Sequence, residues 1–301
     1  MAKILFNEAT KEFHLQNDRI SYIFCIMENG QLGHQYFGKH LTHRDSFQHF
    51  IQMRTQSHTA YVYENDFLFT LDTIRQEYPS YGTTDFREPA YQIKQENGSR
   101  ITEFVYKNHE IYKGKKKLKG LPATYTAAED DAVTVEILLE DELLSVQMVL
   151  SYTIYEDYDA ICRNVRFVNN GEQNLDLLRA MSMSVDLYDS DFEMIHLDGA
   201  WARERHKKKR KLVTGIQSIS SARGASSPDH NPFIALKRPY ATEEQGDAYG
   251  FCLIYSGNFL AQVEVDRYET ARVSMGINPF EFTWHLEPKG EFQTPEAVMV
   301  Y

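Results

Sequence analysis

Apolar and polar residues alternate with a period of two through most of this 301-residue chain. A run with that period cannot keep one face of a helix dry, so it restricts the chain to strands that each present one face to a core. The run Arg19–Met27, "RISYIFCIM", is followed by Asn29-Gly30 and then "QLGHQYFG", which together read as a hairpin with a tight turn. The same habit returns in "AYVYENDFLFTL", "AYQIKQENGSRITEFVY", "AVTVEILLEDELLSVQMVLSYTIY" and "AICRNVRFVNNGEQNLDLLRAMSMSVDLY", which are parted by short turn signals. A long antiparallel β-sandwich is the economical solution.

Helical periodicity is weak. The best stretch is Asp45–Arg54, where Phe47, Phe50 and Ile51 share a face, and it predicts one short connecting helix at most. No repeat of fixed period and no low-complexity linker divides the chain, which favours one continuous double-sheet domain over residues 1–301. Tyr (19) and Phe (18) supply nearly all of the aromatic content, a usage that suits sheets and surfaces that stack on sugar rings.

The formal charge of −11 argues against nucleic acid as a partner. Cys25, Cys162 and Cys252 are odd in number and far apart, so they signal neither a disulfide framework nor a zinc site, and a reducing cytoplasm is expected. "MAKILFNEAT" lacks the apolar core of a signal peptide, and no apolar run is long enough to span a membrane. Asn97-Gly98 reads as a hairpin turn before it reads as a glycosylation acceptor.

Two basic runs, Arg203–Lys211 and Lys113–Gly120, interrupt the acidic chain without interleaved aromatics, and read as solvated edges or loops. His34, His40, His43 and His49 cluster without a zinc spacing, and Asp186–Glu193 lacks the glycine and the closing glutamate of a calcium loop, so neither a metal nor a cofactor is expected. No nucleophile elbow, phosphate loop or dinucleotide fingerprint occurs. A glycosidic carboxylate pair is defined by its separation in space, which spacing along the chain does not encode.

The stretch "EYPSYGTTDFREPAYQI", Glu77–Ile93, is punctuated by Pro79, Pro89 and Gly82. The prolines stiffen a loop and the glycine permits a turn, which would display Asp85 and Arg87 beside Tyr78 and Tyr81. The same residues also suit a second reading, in which Asp85 or Glu88 pairs with Arg87 and pins the loop between sheets. Trp284, inside "FEFTWHL", is expected in the core, whereas Trp201, between Gly199 and a charged stretch, is a candidate for a sugar-facing or subunit-facing surface. "RGASSPDHNPF" is expected to be an irregular loop held by Ser226, Ser227, Asp229 and Asn231 and closed by Pro232.

Four motifs, "IRQEYPSYGTTDFREPAYQI", "HLDGAWARER", "SSARGASSPDHNPFIAL" and "MGINPFEFTWHLEPKGEFQTPEAVMVY", taken in this order, resemble the amino-terminal portion of bacterial family 36 glycoside hydrolases, the α-galactosidases. The likeness runs from "NGQLGHQYFGK" to Tyr301. It implies an all-β, galactose mutarotase-like β-supersandwich with few short helices, which in the family precedes a catalytic (β/α)₈ barrel. The barrel motifs are absent here, so this reads as a piece of a longer chain and no catalytic residue is carried over. The resemblance further implies α-galactoside sugars of the melibiose or raffinose type as substrates, retention of configuration, and a homotetramer whose amino-terminal domains wall a neighbour's active site. Tyr81, Asp85, Arg87 and Trp201 are the candidates for that wall. A stand-alone carbohydrate-binding or scaffolding sandwich is the alternative, with a small mutarotase-like enzyme behind it.

Overall fold

The computed structural model describes residues 1–54 and 61–301. In chain order the strands are β1 Lys3–Asn7, β2 Glu12–Gln16, β3 Ile20–Ile26, β4 Leu32–Lys39, β5 Tyr91–Gln95, β6 Val105–Lys113, β7 Ala132–Asp141, β8 Val146–Tyr155, β9 Ala160–Asn169 and β10 Leu175–Leu187. There follow β11 Glu193–Asp198, β12 His206–Lys211, β13 Gly215–Ser220, β14 His230–Lys237, β15 Ala248–Ile254, β16 Phe259–Val265, β17 Ala271–Ile277, β18 Trp284–Leu286, β19 Glu291–Gln293 and β20 Glu296–Val300. Among the described residues the helical pieces are two single 3₁₀ turns, Gln48–Phe50 and Glu129–Asp131. The helix expected over Asp45–Arg54 shrinks to the first of these, because Phe47 alone of its apolar face is buried.

All pairings are antiparallel and build three sheets. One is β1-β2-β3-β4, a second is β13-β16-β17-β10-β18 with β5 also on β10, and the third is β12-β11-β14-β15-β20-β9-β8-β7-β6 with β19 on β9. The third sheet lies across the other two, with β9 against β10, β15 against β17 and β1 against β7. Their facing rows, including Phe13, Phe24, Met148, Phe167, Met183, Val263 and Met299, close one continuous core. The Phe24 ring stacks 4.8 Å from both Phe13 and Tyr152, joining the first sheet to the third.

The Asn29-Gly30 hairpin forms as read between β3 and β4, with Gly30 at φ +79° and so close to Val105 that a Cβ would meet its side chain at 2.9 Å. The Asn97-Gly98 turn also forms, but it joins different sheets, since β5 pairs with β10 and β6 with β7. The strand expected at residues 60–71 does not form: Ala60 lies outside the described residues, Asn65 takes φ +66°, and Asp66 caps Leu68 and Phe69 into turns.

The basic run at Arg203–Lys211 becomes mainly β12, an exposed edge whose lysines discourage a further strand from pairing. Lys115 in the second run departs from the expected solvated loop. The connection from β6 to β7 folds over the outer face of β8, β9 and β20, burying Lys115 against Glu296. Trp284 is not in the core either: β18 is a three-residue piece at the end of its sheet, so the ring, 5.1 Å from Phe292, stays half exposed.

Candidate functional site

The loop from Glu77 to Ala90 is closed at its base by the Ala90 N–H donating to the Pro79 carbonyl at 2.8 Å. Tyr78 and Tyr91, at the two ends, stack inward 5.7 Å apart, and the Tyr78 hydroxyl donates to the Met181 carbonyl. At the tip, Gly82 and Asp85 exchange both backbone hydrogen bonds around Thr83 and Thr84, which take φ +47° and +80°. Two consecutive β-branched residues in the left-handed region store conformational strain. The surroundings that hold them there are visible, since the Thr84 hydroxyl accepts the Leu71 N–H at 2.7 Å.

Beneath the tip lies a web of charge. Arg87 Nε donates to Asp85 at 2.9 Å, and its Nη2 donates to the carbonyls of Leu71 and Ile74. Arg272, from β17, donates to Asp186 of β10 through Nε at 2.7 Å and through Nη2 at 2.8 Å, and Nη2 also reaches Asp85 at 2.8 Å. Arg87 Nη1 lies 3.4 Å from both Asp186 and Asp266. Burial alone would push the Asp186 carboxyl up, but Arg272 and then Arg87 outweigh it and hold it at about 2. The pairing spans the loop, β10 and β17, so one web pins the turn to the second sheet.

Of the sequence candidates, Asp85 and Arg87 are therefore buried at 1% and 5% exposure, where the displayed arrangement would need them at the surface. The residues shown to solvent are their neighbours. Tyr81 and Phe86 are both more than half exposed and pack edge to face at 6.2 Å, forming an aromatic knuckle on the strained turn. Phe86 escaped the sequence reading, although its place one residue after a buried Asp85 could have marked it as outward facing. Trp201 is 87% exposed on the β11–β12 hairpin, in a different sheet, and among the described residues no ring contact joins it to the knuckle.

A second polar centre sits where the three sheets meet. Glu77, fully buried, accepts from Tyr22 at 2.8 Å and Tyr152 at 2.9 Å, shares 2.6 Å with His34 Nδ1, and lies 3.2 Å from Arg163. Burial would raise this carboxyl, and Arg163 followed by His34 turns the balance downward. Each of these donors is spent on Glu77 inside the core. The adjoining cavity, between Leu32, Tyr78, Tyr91 and Phe104, is about 10 Å³, too small for a sugar.

The fold and the loop define a class, a three-sheet antiparallel β-supersandwich whose punctuated loop is nailed down by buried charge. The chain belongs to glycoside hydrolase family 36, matching the Glycosyl hydrolase family 36 N-terminal domain over residues 30–287. It is similar to the α-galactosidase AgaA of Geobacillus stearothermophilus, with 52% identity over 99% of this chain and 41% of AgaA. The crystal structure of an AgaA variant in complex with raffinose superposes with a TM-score of 0.94 at 52% identity, covering 97% of this chain and 40% of that one. The α-galactosidase from Lactobacillus brevis gives 0.96 at 44% identity, covering 98% and 40%. The chain thus spans about two fifths of the length of the relatives it matches.

Proposed function

We propose that these 301 residues are the non-catalytic amino-terminal domain of a cytoplasmic, retaining α-galactosidase acting on raffinose-like α-galactosides. The observation that carries this is the chain's relation to AgaA: half its residues are identical along its whole length, yet it accounts for only 41% of the relative, whose variant binds raffinose in its crystal. The burial of the two carboxylates at the sheet junctions suits a supporting role: Asp186 and Glu77 have no exposure, so neither can meet a substrate. Three free cysteines suit a reducing compartment. In the longer enzyme the domain supports the barrel and the homotetramer, and of the four wall candidates Tyr81 keeps that role, joined by Phe86 at the border of a neighbouring subunit's pocket, while the buried Asp85 and Arg87 hold the turn beneath them.

The test is an assay of the purified chain with an aryl α-galactoside and with raffinose, beside the same chain continued through a barrel. The expected result is no turnover from the first and turnover from the second. Saturable turnover by the 301-residue chain, abolished by a single carboxylate substitution within it, overturns the reading.

A second reading has its own observation. An open depression of about 780 Å³ is bordered by the exposed rings of Tyr125 and Tyr158 and by Asp157 and Asp159. Aromatic faces beside carboxylates are what a carbohydrate-binding surface offers. Titration with galactose-containing oligosaccharides, followed by tyrosine fluorescence, distinguishes it.

A further inference from the structure

Two of the motifs that the loop and the knuckle leave unexplained, "HLDGAWARER" and "SSARGASSPDHNPFIAL", meet at one point of the third sheet. His196 and Asp198 are two apart on β11, which puts their side chains on one face of the strand. His230 opens β14 as the register partner of Asp198. The pairing slips between His196↔Ile234 and Asp198↔His230, and the extra residues fall at Asn231–Phe233, where Pro232 has no N–H to give the ladder. The bulge brings His230 back beside Asp198 after the chain has left register. The loop expected to run to Pro232 therefore ends earlier, in a strand. Its last turn is fastened by the Gly199 N–H donating to the Asp229 carbonyl at 3.0 Å and by the Asp229 N–H on the Ser227 hydroxyl.

We propose that His196, Asp198 and His230 form a site for a divalent transition-metal ion of the zinc class. One ligand atom from each lies within 4.8 Å of the other two. Both imidazoles approach the same carboxylate oxygen, His196 Nδ1 at 2.7 Å and His230 Nδ1 at 2.8 Å from Asp198 Oδ1. Among the described residues no hydrogen bond reaches Oδ2 or either Nε2, so these atoms are uncommitted. Two imidazoles and a carboxylate are a donor set that zinc and its neighbours favour over calcium or magnesium, and three protein ligands leave a position for water.

A tetrahedral ion with ligands at about 2.0–2.1 Å separates them by about 3.3 Å, so the two histidines need open by only about half an ångström from their present contacts. Asp198 and His230 are each about one third exposed, which leaves them room to do so. Each Nδ1 proton that now points at Asp198 moves to the Nε2 of its own ring when the cation takes its place, so the rings bind neutral and release none. Strands on both sides hold the triad, whereas the histidines at His40, His43 and His49 lie off the regular strands.

The experiment is calorimetric titration of the metal-stripped chain with zinc chloride at neutral pH, with cobalt(II) in a parallel titration read by its visible absorption. One saturable equivalent is expected, with the intense cobalt bands of a four- or five-coordinate site. His230→Gln and Asp198→Asn, both at positions about one third exposed that spare the core, should each weaken zinc about tenfold or more, since losing even an outer partner of a metal ligand has effects of that size. Far-ultraviolet circular dichroism confirms that each variant is folded. No saturable binding up to about 100 µM, or wild-type affinity in both folded variants, overturns the assignment; in the second case zinc sits on other histidines.

Discussion

Glu77 and Asp186 are both carboxylates with no exposure, in one core, and the molecule satisfies them in opposite ways. Around Glu77 there is one full cation, Arg163, and the remaining donors are two tyrosine hydroxyls and a histidine ring. Arg163 in turn has a second support, lying 4.0 Å over the ring of Tyr152. Around Asp186 the balance is charge against charge: Asp85 and Asp186 face Arg87 and Arg272, with Asp266 at the rim. Neutral donors tolerate the loss of a charge, because each can find another acceptor or keep part of its bond. Opposed ions do not, since removing one strands another in a medium that cannot solvate it. The first centre is thus a hydrogen-bonded plug between sheets, and the second is a clamp.

The sharpest way to break this contrast is to remove one charge from each. Arg272→Ala leaves both Asp85 and Asp186 short of a partner and is expected to cost about 3–5 kcal/mol, the range for breaking a buried pair. Glu77→Gln keeps the shape and an acceptor for the tyrosines, and although it removes the counter-charge of Arg163, that guanidinium keeps the Tyr152 face and the Ser184 carbonyl, so the expected cost is about 2–3 kcal/mol, in the range of hydrogen bonds to charged groups. Urea denaturation of the two variants beside the wild-type chain gives the comparison. Equal losses, or a larger loss at Glu77, would mean that charge count does not separate the two centres.

How much of this could be read beforehand depends on the range of the interaction. Alternation over Ala132–Tyr155 and Ala160–Tyr188 is a local consequence of one dry face, and these runs became β7 to β10. The sheet order is not local: β20 enters between β15 and β9, and no feature of "EAVMV" names those partners. The clamp divides in the same manner. Asp85 and Arg87 sit two apart and invite pairing on sight, but Asp186 and Arg272 join them from roughly 100 and 190 residues away. In the sequence Asp186 stands out only as the first carboxylate of an incomplete calcium-loop pattern, Asp186–Glu193, while its own side chain is buried at the end of β10. Trp284 went wrong through the opposite error, since alternation reports which face a residue shares and says nothing of how far the covering layer extends.

Acid titration sharpens the contrast at intermediate size. A carboxyl lowered in the folded state stabilises fully above its unfolded value and loses that contribution as pH falls through the folded one. For Asp186 the window runs from its ordinary value of 3.8 down to about 2, corresponding to about 2 kcal/mol. Glu77 is lowered from 4.5 and loses its contribution in the same direction. The Asp186 Cγ chemical shift, followed by NMR, should therefore stay at its carboxylate position through the range where surface aspartates protonate. A midpoint at or above 3.8 would show that Arg272 and Arg87 do not outweigh burial at Asp186, and the charge clamp would be refuted.

The smallest effect tests what the clamp holds in place. Thr83 is exposed, and its side chain takes part in none of the clamp's contacts, so its φ of +47° is a cost imposed by the turn. Asparagine enters that region far more readily than a β-branched residue. Thr83→Asn is expected to stabilise the chain by up to about 1 kcal/mol, within the range of strain carried by such outliers. The same change at Thr84 should gain nothing, because its hydroxyl accepts the buried Leu71 N–H and an exchange there gives up a bond for the strain it relieves. Thermal denaturation of both variants decides it. If Thr83→Asn is destabilising and Thr84→Asn is not, the turn is held by the threonine side chains and not by the arginines beneath it.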